Sequence, residues 1–201
     1  MNSYIKYIVE AFDFGSVNKQ NKSINVYDTL LPSIIEKVRN YKKLTTTDYN
    51  VLTSFTGIYK VKNFSELYRV ISEFLEQFGD NSNLNWINTS AVTEMPQLFF
   101  SSNFNGDISK WDVSNVTNMR ETFYSSHFTG DISNWDVSNV KDMTRMFAGS
   151  HFNNDISNWD VSNVKDMAGM FGRSEFNSDI SNWDVSNVTG MDYMFTKTNF
   201  N

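Results

Sequence analysis

Carboxylate side chains recur at a fixed interval in the second half of this 201-residue chain. Two series have a spacing of 24 residues: Asp107, Asp131, Asp155 and Asp179, and Asp112, Asp136, Asp160 and Asp184. Stacked carboxylates could bind Ca²⁺, which prefers oxygen ligands. Alternatively, each aspartate accepts a hydrogen bond from the backbone N–H two residues later and closes an Asx-turn. The Asx-turn interpretation is favoured, because aspartate is common in turns and no G-G-x-G-x-D calcium pattern occurs.

Two histidines, His127 and His151, have the same spacing and would lie about 5 Å apart in a stacked array. Imidazoles form a metal site only with further ligands held in place. We therefore predict exposed loop histidines, no metal and no cofactor. The chain contains no cysteine, and we find no nucleophile paired with a base and no glycine-rich phosphate loop. The sequence predicts a protein that is not an enzyme.

The aspartates and histidines belong to an internal repeat. The hexapeptide WDVSNV occurs unchanged four times, beginning at Trp111, Trp135, Trp159 and Trp183. A degenerate copy with one additional residue begins at Trp86. A period of 24 residues is typical of units that stack into a solenoid. Within each unit, D-I-S-x-W-D-V predicts a short strand, and V-x-x-M-x-x-M-F predicts one helical or 3₁₀ turn.

Identical residues are expected wherever a side chain stacks on its own copies. The repeated Trp, Val, Met and Phe therefore predict a packed interior. One repeated polar residue is predicted to bond to neighbouring backbone and to form a ladder: Asn115, Asn139, Asn163 and Asn187.

The string FNxDISxWDVSNVxxMxxMF resembles the BspA-like leucine-rich repeat family over residues 86–201. The resemblance implies a right-handed leucine-rich-repeat-type solenoid of about five 24-residue coils with a short parallel sheet. It also implies a role in protein–protein contact or adhesion, and the family supplies no catalytic residues.

Residues 1–85 predict a helical N-terminal cap domain that covers the first repeat. In LPSIIEKVRNYK, Pro32 suits the first turn of a helix, and apolar residues follow on one face. A second helix, in NFSELYRVISEFLEQFG, begins at an N-x-x-E capping box formed by Asn63 and Glu66 and ends at Gly79. With the solenoid of residues 86–201, the predicted fold class is α+β.

Partner binding is predicted at positions where the repeats differ. These positions follow the helical turn and would line one flank of the solenoid. The residues predicted to bind a protein partner are Arg120, Tyr124, His127, Arg145, His151, Arg173, Tyr193 and Lys197. Tyrosine and arginine are enriched at binding hot spots. The alternative is that these are solvated loop positions that are free to vary, and the sequence leaves both interpretations open.

The two parts of the chain differ in charge. Residues 1–85 carry 10 basic and 9 acidic side chains, whereas residues 86–201 carry 7 and 14. An acidic array repels phosphate backbones, so no nucleic-acid partner is expected for the repeats. No apolar run reaches the roughly 18 residues of a membrane span, and Lys6 and Glu10 interrupt the only candidate signal peptide. We expect a cytoplasmic protein that is not exported by the Sec route and does not bind membranes.

The first eleven residues suggest an alternative function. The segment MNSYIKYIVEA resembles the capsid-targeting peptides of internal head proteins in large tailed phages. That resemblance implies cleavage between Glu10 and Ala11. The protein would then be packaged in a virion, or delivered from it, and would act on a host defence protein.

The last repeat stops before another D-I-S segment, and no polar capping unit follows it. Solenoids usually close with such a unit. We predict exposed apolar surface and an exposed strand edge at this end, where a second copy of the chain or another protein would bind.

Overall fold

The computed structural model describes residues 26–201. Three helices come first: α1 spans Val26–Arg39, α2 Thr46–Thr53 and α3 Phe64–Phe78. Strand β1, Tyr59–Lys60, lies between α2 and α3, and strand β2, Ile87–Asn88, follows α3. The 24-residue units occupy the remainder of the chain.

Helix α3 begins and ends where the sequence predicts. The side chain of Asn63 accepts a hydrogen bond from the Glu66 N–H (3.0 Å), and Gly79, with φ 86°, ends the helix. The Glu66 carboxylate does not complete the capping box. It accepts instead from the Lys62 N–H and the Tyr59 hydroxyl, both at 2.9 Å, and so ties α3 to β1.

The predicted position of Pro32 in a first helical turn is wrong, because α1 begins six residues earlier and contains Pro32 in its interior. An interior proline removes one backbone hydrogen bond. Burial of Leu31, at 9% exposed, and packing of the partly buried Leu30 against the core favour the longer helix, because both residues precede Pro32.

Helix α3 and strand β1 contact the first repeat. Strands β1 and β2 pair in parallel, with Tyr59 opposite Ile87. The ring of Phe74 on α3 lies 4.9 Å from the ring of Trp86, which is fully buried. The apolar face of α3 therefore packs on the aromatic residue that begins the first unit.

Successive units pair in parallel and in register. Single-residue bridges join equivalent positions of consecutive units: Glu94, Asn118, Asp142, Asp166 and Gly190. These bridges lie just before the methionine of each unit, so the predicted strand in D-I-S-x-W-D-V is misplaced. That segment is a series of turns, in which Trp135 N–H donates to Ile132 O (3.1 Å) and Val140 N–H donates to Val137 O (2.9 Å). The aspartates capture the N–H groups that a strand would need.

Equivalent side chains stack through the interior of the array. The rings of Phe123 and Phe147 are 5.5 Å apart and those of Phe147 and Phe171 5.8 Å apart, with planes inclined by only 1°. Each of the four tryptophans that begin WDVSNV also donates its indole N–H to the backbone carbonyl 27 residues earlier, as Trp135 does to Ile108 O (3.2 Å), whereas the buried indole N–H of Trp86 has no partner in the described chain. The asparagine ladder is confirmed: Asn139 Nδ2 donates to Ser114 O at 2.7 Å, and the other three copies do likewise.

Candidate interaction surface

Both aspartate series form Asx-turns, as predicted. In all eight copies the Oδ1 atom accepts from the backbone N–H two residues later, for example Asp131 from Ser133 at 2.9 Å. These bonds lower the pKa of the Asp131 carboxyl, chiefly through the Ser133 N–H and then through its hydroxyl. The carboxylates are thus committed to the turns. Among residues 26–201, no group of three or more His, Cys, Asp or Glu side chains is arranged to hold a metal ion.

The two histidines lie in an exposed polar column. Their ring centroids are 4.7 Å apart. His127 Nδ1 is 2.8 Å from Asn103 Oδ1 on one side, and His151 Nε2 is 3.8 Å from Glu175 Oε1 on the other. The sequence correctly predicts that His127 and His151 lie next to each other. It does not predict Asn103 and Glu175, which lie at the two ends of the column.

A buried carboxylate organises the N-terminal half of the predicted flank. Glu121 is only 7% exposed and accepts a hydrogen bond from Gln97 Nε2 at 2.7 Å. The guanidinium groups of Arg120 and Arg145 approach its Oε1 at 3.3 and 3.6 Å. Two of the residues predicted to bind a partner are therefore already paired within the chain.

Tyr124 is stacked on Phe100, which the sequence prediction missed. Their ring centroids are 4.9 Å apart and their planes differ by 5°. Phe100 is 44% exposed, so this pair presents an aromatic surface to solvent. The next two units carry Ala148 and Gly172 at the same position, which leaves the flank shallow beyond Tyr124.

The C-terminal half of the flank contains three exposed side chains without partners. Arg173, Tyr193 and Lys197 make no side-chain hydrogen bond, ion pair or ring contact with any residue of the described chain. Tyr193 is 78% exposed. Arg173 and Lys197 hold the same position in adjacent units, where Arg173 N–H donates to Thr196 O at 2.7 Å.

Two backbone positions in each unit have a positive φ. The first series is Gln97, Glu121, Arg145, Gly169 and Tyr193, and the second is Ser101, Ser125, Gly149, Arg173 and Lys197. L-residues reach this left-handed region at a cost of roughly 1 kcal/mol. Glycine occupies only two of these ten positions, Gly149 and Gly169. Only these two glycines indicate a left-handed backbone in the sequence.

The last unit exposes apolar residues that are buried elsewhere, as the sequence predicts. Val185 is 40% exposed and Met191 41%, whereas their equivalents Val161 and Met167 are 1% and 0% exposed. The last unit therefore combines an apolar face with the unpartnered part of the flank.

A depression separate from the flank lies beside strand β1. It has a volume of about 500 Å³ and is lined by Arg39, Tyr59, Lys60, Val61, Lys62, Glu66 and Ala91. Burial and the hydrogen bond to Glu66 raise the pKa of Tyr59 to about 12, so its hydroxyl stays protonated.

None of the described helices has the length and apolar character of a membrane span. The predicted cleavage site at Glu10 and Ala11 lies outside the described residues.

These features define a protein built from a helical segment and a stack of repeated units. The chain belongs to the family described as Mycoplasma protein of unknown function, DUF285, whose model matches residues 41–171 and 126–201. No curated protein and no solved structure matches the chain.

Proposed function

We propose that the chain is a non-enzymatic protein–protein interaction module. In this proposal a BspA-like, right-handed leucine-rich-repeat-type solenoid presents its variable flank to a protein partner. The parallel bridges between equivalent residues and the stacked phenylalanine columns support the solenoid. The family match covers residues 41–201 and supports membership of a repeat family.

One observation carries the functional proposal. Arg173, Tyr193 and Lys197 are exposed, lack side-chain partners and have φ values of 59°, 60° and 60°. Glycine would occupy these positions without strain, as Gly149 and Gly169 do in the same two series. These three side chains carry the cost of a left-handed backbone and make no contact within the described chain that would offset it. This combination favours a role in partner binding over the alternative that the positions are free to vary.

The test compares capture of proteins by two matched variants of the full chain. In the flank variant, Tyr124, Arg173 and Tyr193 become alanine. In the control, the exposed residues Asn134, Asn158 and Asn182, which lie between the aspartate turns, become alanine. These three asparagines lie outside the variable flank.

We expect proteins captured from a lysate of the source cell by wild type and control to be lost with the flank variant. Circular dichroism melting establishes that all three proteins are folded equally. Capture of the same proteins by both variants would place the binding surface elsewhere.

A further inference from the structure

One column of side chains on the flank changes from aromatic to small partway along the array. Equivalent positions of four consecutive units carry Phe100, Tyr124, Ala148 and Gly172. The rings of Phe100 and Tyr124 are stacked, with centroids 4.9 Å apart and planes inclined by 5°. A ring at position 148 would continue this stack, but only the methyl group of Ala148 lies there. One face of the Tyr124 ring is therefore not covered by a ring of the next unit.

The backbone beyond Tyr124 keeps the geometry of the aromatic units. Ser125 N–H donates to Ala148 O at 2.8 Å, and the equivalent bond one unit earlier has the same length. The phenylalanines that precede this column in each unit stay stacked, with centroids 5.5 to 5.8 Å apart. The space over Ala148 thus results from side-chain size and continues the aromatic stack. We call this space the ring slot: Tyr124 forms its wall, and Ala148 and Gly172 form its floor.

Arginine side chains adjoin the ring slot. Ala148 N–H donates to Arg145 O at 3.1 Å, so one turn holds both residues. Arg145 and Arg120 share the carboxylate of Glu121, and two guanidinium groups against one carboxylate leave an excess of positive charge. Arg173 follows the floor of the slot directly and makes no side-chain ion pair or hydrogen bond in the described chain. The surroundings of the slot therefore favour an anionic partner.

The slot is open to solvent. Phe100 is 44% exposed, and the side chain of Arg145 is 56% exposed. Within residues 26–201, the ring of Tyr124 stacks only on Phe100, and no cation lies over its other face. An open slot contacts one face and one edge of a ring, so a free small molecule gains little contact area here. A protein segment adds further contacts along the flank.

We propose that the ring slot receives an aromatic side chain of the partner protein, flanked in the partner sequence by aspartate or glutamate. The ring stacks on Tyr124 above Ala148, and the flanking carboxylates pair with Arg145 and Arg173. Buried aromatic anchors of this kind carry much of the binding energy of protein interfaces. This proposal rests on the proposed function and adds the chemistry of the partner segment.

The experiment first selects ligands from a displayed library of random short peptides on the immobilised full chain. Enriched peptides should carry Trp, Tyr or Phe beside Asp or Glu. The strongest peptide is then titrated into protein with isotope-labelled alanine methyl groups. The ring current of the bound side chain should shift the methyl signal of Ala148. The methyl signal of Ala91, in the first unit, serves as the internal control and should not move.

Two variants at one position separate stacking from other contacts. Tyr124→Phe keeps the ring and should bind the selected peptide within about twofold of the wild type. Tyr124→Leu removes the ring and should raise the dissociation constant about three- to tenfold. Arg173→Gln should raise it about threefold, whereas Lys165→Gln, which removes a cation from another column of the flank, should leave it unchanged. Circular dichroism melting establishes that each variant is folded.

Enrichment of peptides without aromatic residues, an unshifted Ala148 methyl signal or equal affinities of the two Tyr124 variants would each overturn the ring-slot proposal. Enriched peptides without carboxylates, or equal affinities of Arg173→Gln and Lys165→Gln, would overturn the pairing with acidic residues. The capture experiment is read separately. Loss of capture with the flank variant, together with any of these results, would retain the proposed function and reject the ring slot. Unchanged capture would reject the proposed function itself.

Discussion

The same valine in consecutive units provides an internal measure of how open the last unit is. Val137 is 1% exposed and Val185 is 40% exposed. Replacing Val137 with alanine removes two buried methyl-sized groups, worth about 0.8 kcal/mol each. Incomplete closure of the resulting cavity raises the expected loss to about 2–3 kcal/mol. For Val185→Ala the expected loss is about 1 kcal/mol or less, because its side chain already contacts water.

The assay is urea unfolding followed by tryptophan fluorescence and far-ultraviolet circular dichroism. The free energy of unfolding is obtained by linear extrapolation to zero urea. Equal m values show that the variants expose the same amount of surface on unfolding. Val113→Ala and Val161→Ala, both at positions 1% exposed, serve as controls and should match Val137→Ala. Equal losses at Val137 and Val185 would refute the reasoning. If the loss at Val185 rose with protein concentration, a second copy would be covering that end.

Three further predictions concern single contacts. Trp159→Phe removes the indole N–H bond to Ile132 O (3.1 Å) and leaves that carbonyl unpaired. The free energy of unfolding should therefore fall by about 1–2 kcal/mol, and an unchanged free energy of unfolding in urea would contradict this. The hydrogen bonds from Ser133 lower the pKa of Asp131 below its ordinary value of 3.8. The ionised carboxylate therefore stabilises the fold above pH 3.8, and this stabilisation is lost as the pH falls through the folded-state pKa. Asp131→Asn should therefore flatten the acid limb of a stability–pH curve, and an unaltered limb would count against the Asx-turn contribution. Tyr193→Gly should leave stability unchanged or raise it by up to about 1 kcal/mol, since it relieves a left-handed residue without an internal contact; a clear loss in thermal melting would reveal a structural role.

Hydrogen bonds fixed by a short sequence spacing or by the repeat period were predictable from the sequence. Asp131 and Asn139 form the expected turn and ladder, because each bond depends only on a short sequence spacing or on the 24-residue period. The ends of α3 at Asn63 and Gly79 were predictable for the same reason, since helix caps depend on neighbouring residues.

Features that depend on the path of the backbone were not predictable. The alternation of apolar residues in D-I-S-x-W-D-V is equally compatible with a strand and with a series of turns, and only the capture of N–H groups by aspartate decides between them. Glu121 is another case: a charged residue at a varied position suggests exposure. Its burial follows from a left-handed backbone and from contacts with Gln97 and Arg145 in the neighbouring units.

The left-handed positions differ in the contacts that offset their backbone cost. At Glu121 and Arg145 the backbone cost is offset by an ion pair, and the N–H of each residue bonds to the next unit. At Tyr193 and Lys197 the same backbone cost has neither offset, because their N–H groups and side chains have no partner in the described chain.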